Sequence, residues 1–179
     1  MSKAQVTAQL GEWLDPRQSN IPHLGTVYTG LPRIPSETDL DRFDYPGLSI
    51  GALMYLFCTG QSEKRIALGG PHNGQKMVYY DYGMLIVFKT TLTGQDSIAE
   101  AQAEFDELID NLTEYIRYSR TAGGYPQSGG GVVWQWGEGD LLGGPDIRLE
   151  YYTPRSIKGA VYLFQAVLHV NVLENLVGT

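Results

Sequence analysis

The sequence predicts an α+β fold: a mostly antiparallel sheet packed by one long amphipathic helix and a short N-terminal helix, with an extended Gly/Trp-rich loop or hairpin arm. Three observations carry this. Tyr162, Phe164, Ala166, Leu168, Val170 and Val172 alternate at period two, the pattern of a strand with one core face. Residues 97–118 repeat apolar side chains at helical spacing. Asn73-Gly74 sits between two strand-like runs, and Asn-Gly is the strongest short hairpin signal.

Each element is justified in order. Val6, Leu10, Trp13 and Leu14 share one helical face, with Ser2 as a cap. Asp15-Pro16 ends that helix, because proline disfavours helix in the residue before it. Residues 25–30 read as a short strand, and Pro32 to Pro46, with Asp39, Asp41 and Asp44, as an exposed loop. Leu53 to Phe57 and Lys64 to Leu68 read as two separate strands. Residues 76–92 form one long strand with a bend or bulge expected at Gly83. Ser97-Ile98-Ala99-Glu100 fits a capping box opening the helix of residues 97–118. Its stripe is Ile98, Ala101, Phe105, Leu108, Leu112 and Tyr115, with Ile109 and Ile116 beside it. Asp146 to Thr153 and Gly159 to Leu173 are the closing strands, linked by Pro154-Arg155-Ser156. Before them, Val132, Trp134 and Trp136 alternate with Val133 and Gln135 as a short strand or hairpin arm, so the order is α-β-β-β-β-α-β-β-β.

The 179 residues and 19.8 kDa fit a single domain, residues 1–179, with an inserted loop or arm at about 119–145. A chain of this length buries roughly 70% of its unfolded surface, enough for a core without staples. Hydrophobic residues at 42% and charged residues at 18% indicate a globular chain. The formal net charge of −7 argues against a basic nucleic-acid binder. One cysteine, Cys58, excludes an internal disulfide framework and a cysteine zinc site. The N-terminus has no apolar signal-like run, and the longest apolar stretch, residues 48–58, is about half the ~20 residues of a membrane span.

Chemistry-bearing motifs are sparse, and no catalytic residue, cofactor site or metal site is assigned. Ser62 and Ser128 lack a nucleophile-elbow context, and Cys58 ends an apolar run, as a buried inert thiol does. His23, His72 and His169 are far apart, without metalloprotease spacing. The glycines of 69–74 and 129–131 lead into strands, not helix N-termini, so they suit turns better than phosphate. The glutamates of the long helix suit a solvated face. What stands out is the glycine-rich stretch with Trp134 and Trp136, together with the hairpin tip. Pro71, His72, Asn73, Tyr125, Trp134 and Trp136 are the candidate intersubunit or partner interface, since aromatics favour interface cores. The tryptophans pack either on their own sheet or on a neighbour.

Val27-Tyr28-Thr29-Gly30-Leu31-Pro32 after an N-terminal helix, an arginine-bearing strand at Arg65, a long hairpin strand, the helix 97–118 and a closing strand 159–173 together resemble the tail terminator proteins of long-tailed bacteriophages. The chain departs from that pattern in its 36–46 loop and its 119–145 insertion. The resemblance implies a non-enzymatic virion structural protein of the tail or neck, assembled in the host cytoplasm. It implies a homo-oligomeric ring, a hexamer, that ends tail-tube polymerisation and docks the head–tail connector or neck protein. The tail tube protein is then a partner, the genome passes through without specific binding, and no membrane is involved. Six copies would carry 6 × −7 = −42 formal charges, and an acidic lumen repels the DNA backbone within a screening length of ~8 Å. Two other readings stay open: another neck or head-completion protein, and a helix-grip module whose Tyr79, Tyr80, Tyr82, Tyr151, Tyr152 and Tyr162 line a small-molecule cavity.

Trp134→Ala separates the two placements of the arm. Docked on a neighbour, it leaves the melting temperature of the isolated chain nearly unchanged and impairs assembly; packed in cis, it lowers that temperature.

Overall fold

A computed structural model describes residues 3–30, 50–65, 75–90, 95–118, 134–136, 147–157 and 161–177. Two helices open the chain, α1 (Lys3–Trp13) and α2 (Pro16–Ser19), followed by β1 (Leu24–Thr29), β2 (Ile50–Arg65) and β3 (Gln75–Thr90). The long helix α3 (Gln95–Tyr118) comes next, then β4 (Trp134–Trp136), β5 (Ile147–Ile157) and β6 (Val161–Val177). The fold is α+β. Its six-stranded sheet runs β1-β2-β3-β6-β4, with β5 also on β6.

The sheet is mixed, which corrects the expectation of a mostly antiparallel one: β1 runs parallel to β2. Some ~20 residues separate these strands, enough for a parallel crossover and far more than a tight turn needs. The two strands expected within 53–68 are one strand over its described length, β2, bulged between Cys58 and Gly60. Polar residues Gln61 to Lys64 hide that continuity, because this end of β2 is exposed.

Gly83 is not the bulge. The β2–β3 register passes unbroken through Phe57↔Gly83. A Cβ at 83 would sit 2.8 Å from Phe57 Cζ, so the glycine makes room for a ring lying across the strands. The bulge instead falls one strand over, where Thr59 Oγ1 donates to the Asp81 carbonyl (3.1 Å).

β5 continues through Pro154 to Ile157, past its expected end at Thr153. Its register with β6 shifts between Tyr152 and Arg155, as suits a proline without a ladder donor on an edge strand. Strand β4 pairs with β6 at Trp134↔Glu174 and Trp136↔Val172, and β5 takes over at Ile147↔Val170. Both run antiparallel to β6, so they are two segments of one interrupted edge.

The alternation read in β6 is realised. Phe164, Ala166, Leu168, Val170 and Val172 are buried in one cluster with Ala52, Met54 and Leu56 of β2 and with alternate residues of β3, Val78, Tyr80, Tyr82, Met84, Ile86 and Phe88. Helices α1 and α3 close this face. Val6, Leu10, Trp13 and Leu14 are all buried, and so are Ala101, Phe105, Leu108, Ile109, Leu112 and Ile116. Phe105 meets Phe88 and Phe164 at ring-centroid distances of 5.8 and 5.7 Å.

The two helices are tied together as well as to the sheet. Trp13 stacks on Tyr115 (4.7 Å), whose hydroxyl donates to the Trp13 carbonyl (3.3 Å). Thr7 Oγ1 donates to the Lys3 carbonyl, which leaves it to accept from the buried Tyr82 hydroxyl at 3.0 Å.

Asp15 does more than end α1. Its carboxylate accepts from the Arg17 backbone N–H (2.9 Å) and pairs with the Arg17 guanidinium (2.8 Å), capping α2. The expected capping box of α3 is displaced: the helix begins at Gln95, so Ser97 lies within its first turn. The exposed loop expected at 32–46 lies outside the described residues.

Phe105→Ala should cost ~3–5 kcal/mol in denaturant unfolding. Tyr82→Phe should cost only about 0.5–1.5 kcal/mol, one hydrogen bond without a cavity. The Arg17 guanidinium and backbone N–H hold Asp15 at a pKa of about 2, below the ordinary 3.8. Because the folded value is depressed, the cap's contribution is full above 3.8 and fades as pH falls through about 2. Carboxyl NMR titration of Asp15 with a midpoint near the ordinary value would refute the cap.

Candidate functional site

Of the six candidate interface residues, Pro71, His72, Asn73 and Tyr125 lie outside the described residues. Trp134 and Trp136 are placed by backbone alone: their strand pairs with β6 of the same chain. That ladder anchors the tryptophan segment in cis at residues 134–136.

The described surface offers little for catalysis. Cys58 is partly buried, and its thiol donates to the Gly60 carbonyl (3.0 Å) across the bulge. Burial, ahead of every other influence, pushes its pKa up, so the thiolate is disfavoured. His23 is exposed in the turn before β1 with a positive φ of 63°. His169 lies at Glu150 (3.9 Å), which also meets Arg148 (3.3 Å), all three on the sheet face away from the helices. No group of three or more His, Cys, Asp or Glu among the described residues is placed to hold a metal ion. Glu100, Glu107, Asp110 and Glu114 line the exposed side of α3. Glu104, also on α3, has one buried oxygen, Oε2, without a hydrogen-bond partner, although the residue itself is only half-buried. No helix among the described residues is long and apolar enough to cross a membrane.

The tyrosines expected to line a cavity are divided among different places. Tyr80 and Tyr82 are buried in the helix-side core, and Tyr79 points to the other face. Tyr162 packs against the core, while Tyr151 and Tyr152 are exposed on β5. The space between sheet and α3 is filled by Phe88, Phe105 and Phe164. Among the described residues, an open groove of about 600 Å³ lies elsewhere, between Asn20-Ile21-Pro22 and the C-terminal turn of α3.

What the surface does concentrate is tyrosine on the two sheet edges. Exposed large apolar side chains among the described residues are Tyr28 (47%), Tyr151 (54%), Tyr152 (47%) and Tyr118. Tyr28 is on β1, which pairs only with β2 among the described strands. It stacks on Tyr55 (5.2 Å, 20° between planes), which fixes its ring on the edge. Tyr151 and Tyr152 are on β5, at the opposite edge. Tyr151 is braced by an edge-on contact with Phe105 (6.2 Å). Sequence reading named the hairpin and the tryptophans but missed these residues as edge residues. Their signal is position in the sheet order, which composition does not reveal.

No protein-family model matches the chain, and no curated protein matches it in sequence.

Cys58 should react with a thiol-alkylating reagent more slowly than an exposed cysteine at pH 8, and its rate should keep rising above the ordinary thiol range. A rate equal to that of a small free thiol across the titration would show an accessible, activated sulfur instead.

Proposed function

We propose that this protein is a virion structural component: a tail terminator that assembles as a homohexameric ring at the head-proximal end of a phage tail tube. In this reading it ends tube polymerisation and presents a docking face to the neck. The observation that carries it is the pair of unlike sheet edges among the described strands, each bearing exposed tyrosine, Tyr28 stacked on Tyr55 at one and Tyr151 edge-on to Phe105 beside Tyr152 at the other. Two different surfaces that meet head to tail generate a ring when the rotation between copies closes. Tyrosine suits such contacts because it offers large, rigid area with a polar tip. The element order, with a long hairpin strand, a long amphipathic helix and a closing strand, supports the same reading. The work it describes is surface complementarity without catalysis, and the genome passes through without specific binding. Another neck or head-completion protein would use the same edges with a different partner.

Light scattering after size exclusion, and negative-stain images with and without tail tube protein, test the proposal. A ring is expected, alone or templated by the tube end. Tyr28→Ala and Tyr152→Ala should each abolish the ring while shifting the melting temperature of the isolated chain by no more than a few degrees. A monodisperse monomer that binds no tube protein sinks the proposal.

A further inference from the structure

The groove beside Asn20-Ile21-Pro22 has one tethered wall and one charged wall. On the first, Asn20 takes the left-handed conformation (φ 52°), and its N–H donates to the Pro16 carbonyl (3.1 Å). The His23 carbonyl accepts from Ala52 N–H (3.0 Å), so the turn is tied at both ends with Pro22 exposed between them. On the second wall, Tyr115 is fixed by its stacking and hydrogen bond to Trp13. Tyr118, 94% exposed, follows one helical turn later, and both tyrosines line the groove with Pro22.

Helix α3 carries nearly all of the chain's charge. Its 24 residues hold seven Asp or Glu and one Arg, a net of −6 against −7 for the whole chain. Glu100, Glu104, Glu107, Asn111, Glu114 and Tyr118 recur at alternating steps of four and three, so they form one line along the helix. That line runs into the groove, which Asn111, Glu114 and Tyr118 help to form. Among the described residues no basic side chain pairs with its glutamates. Glu100 and Glu104 stand one turn apart as like charges, an arrangement that weakens a helix by itself. The helix dipole adds partial negative charge at the groove end, and Arg117 alone opposes it.

These features define what fits. The line of carboxylates attracts cations and repels nucleic acid. Tyrosine faces accept a guanidinium or ammonium group, and a groove of tyrosine and proline accepts the ring of an extended, proline-bearing segment. The Asn111 amide can bond the main chain of such a segment, which has no internal hydrogen bonds. A second copy is a poor source, because no five-residue window of this chain holds more than two Lys or Arg.

We infer that this groove, with the glutamate line leading into it, is a docking site for an extended basic segment of another protein. Lys or Arg side chains of that segment lie on Glu107 and Glu114, and a prolyl or aromatic ring sits between Pro22 and Tyr118. The inference does not depend on the proposed ring.

Fluorescence anisotropy with the labelled peptide Lys-Arg-Pro-Trp-Lys-Arg and the full chain tests it. Saturable binding is expected at low ionic strength, weakening as salt rises. Glu114→Gln and Tyr118→Ala should each weaken it about two- to fivefold, and Arg117→Gln should tighten it. Asp106→Asn and Asp110→Asn remove the same kind of charge from another side of α3 and should leave it nearly unchanged. Replacing Pro-Trp by Gly-Gly in the peptide should weaken it several-fold. No binding would overturn the inference. So would equal weakening by the Asp106 and Asp110 variants, which means attraction to net charge alone, or equal binding of the Gly-Gly peptide, which means the groove holds no ring.

Discussion

The structure depends on one ladder, β3 against β6, in register from Gln75↔Val177 to Thr90↔Tyr162. Paired residues share a face, so this register sends Phe88 with Phe164 and Ile86 with Ala166 toward the helices. A slip of one residue would turn both sets toward the wrong side. The β2–β3 ladder transmits the same phase to Ala52, Met54 and Leu56, and helix α3 can then lay a single apolar stripe across all three strands. The bulge at Thr59 marks where that constraint ends. Beyond it the phase of β2 changes and its side chains, Gln61 to Arg65, are exposed.

The helices hold their places by aromatic contact with hydrogen bonds added at the few buried polar tips. Phe88, Phe105 and Phe164 form the centre, and Trp13 on Tyr115 joins the two helices at its rim. Tyr82 is fully buried, which is tolerable because Thr7 Oγ1 accepts a hydrogen bond from its hydroxyl. These contacts are specific in direction as well as apolar, so they fix where each helix lies on the sheet.

Periodicity made the helices and the faces of the strands legible. All four residues expected on the buried side of α1 are buried, and so is most of the α3 stripe, with Ile98 and Tyr115 partly buried at its margin. Local patterns do not encode pairing partners at long separation, and that is where reading failed. The parallel β1–β2 ladder joins segments far apart in the chain, and β4 and β5 share one edge of β6 across an interruption. Gly83 resembled a bulge because glycine has two uses in strands, and only the position of the Phe57 ring separates them. Ser97 failed as a cap because two or three short polar residues in succession compete for that role, and helix length settles it. The tyrosines of the edges were visible as residues, but not as edges.

Edges are where this sheet is both exposed and restrained. An unprotected edge invites another strand to add on, and repeated addition gives fibres. On β5 that route is hindered by Pro154, which lacks a donor, by the register shift around it, and by Arg148, Glu150 and Arg155. What β5 still offers is side-chain area from Tyr151 and Tyr152. On β1 the corresponding feature is Tyr28, held flat on Tyr55 within the chain itself. Contact through preplaced rings is geometrically definite and confined to one patch. Contact through backbone ladders tolerates shifts along the strand. A closed assembly needs the first kind, because closure requires the same rotation at every junction.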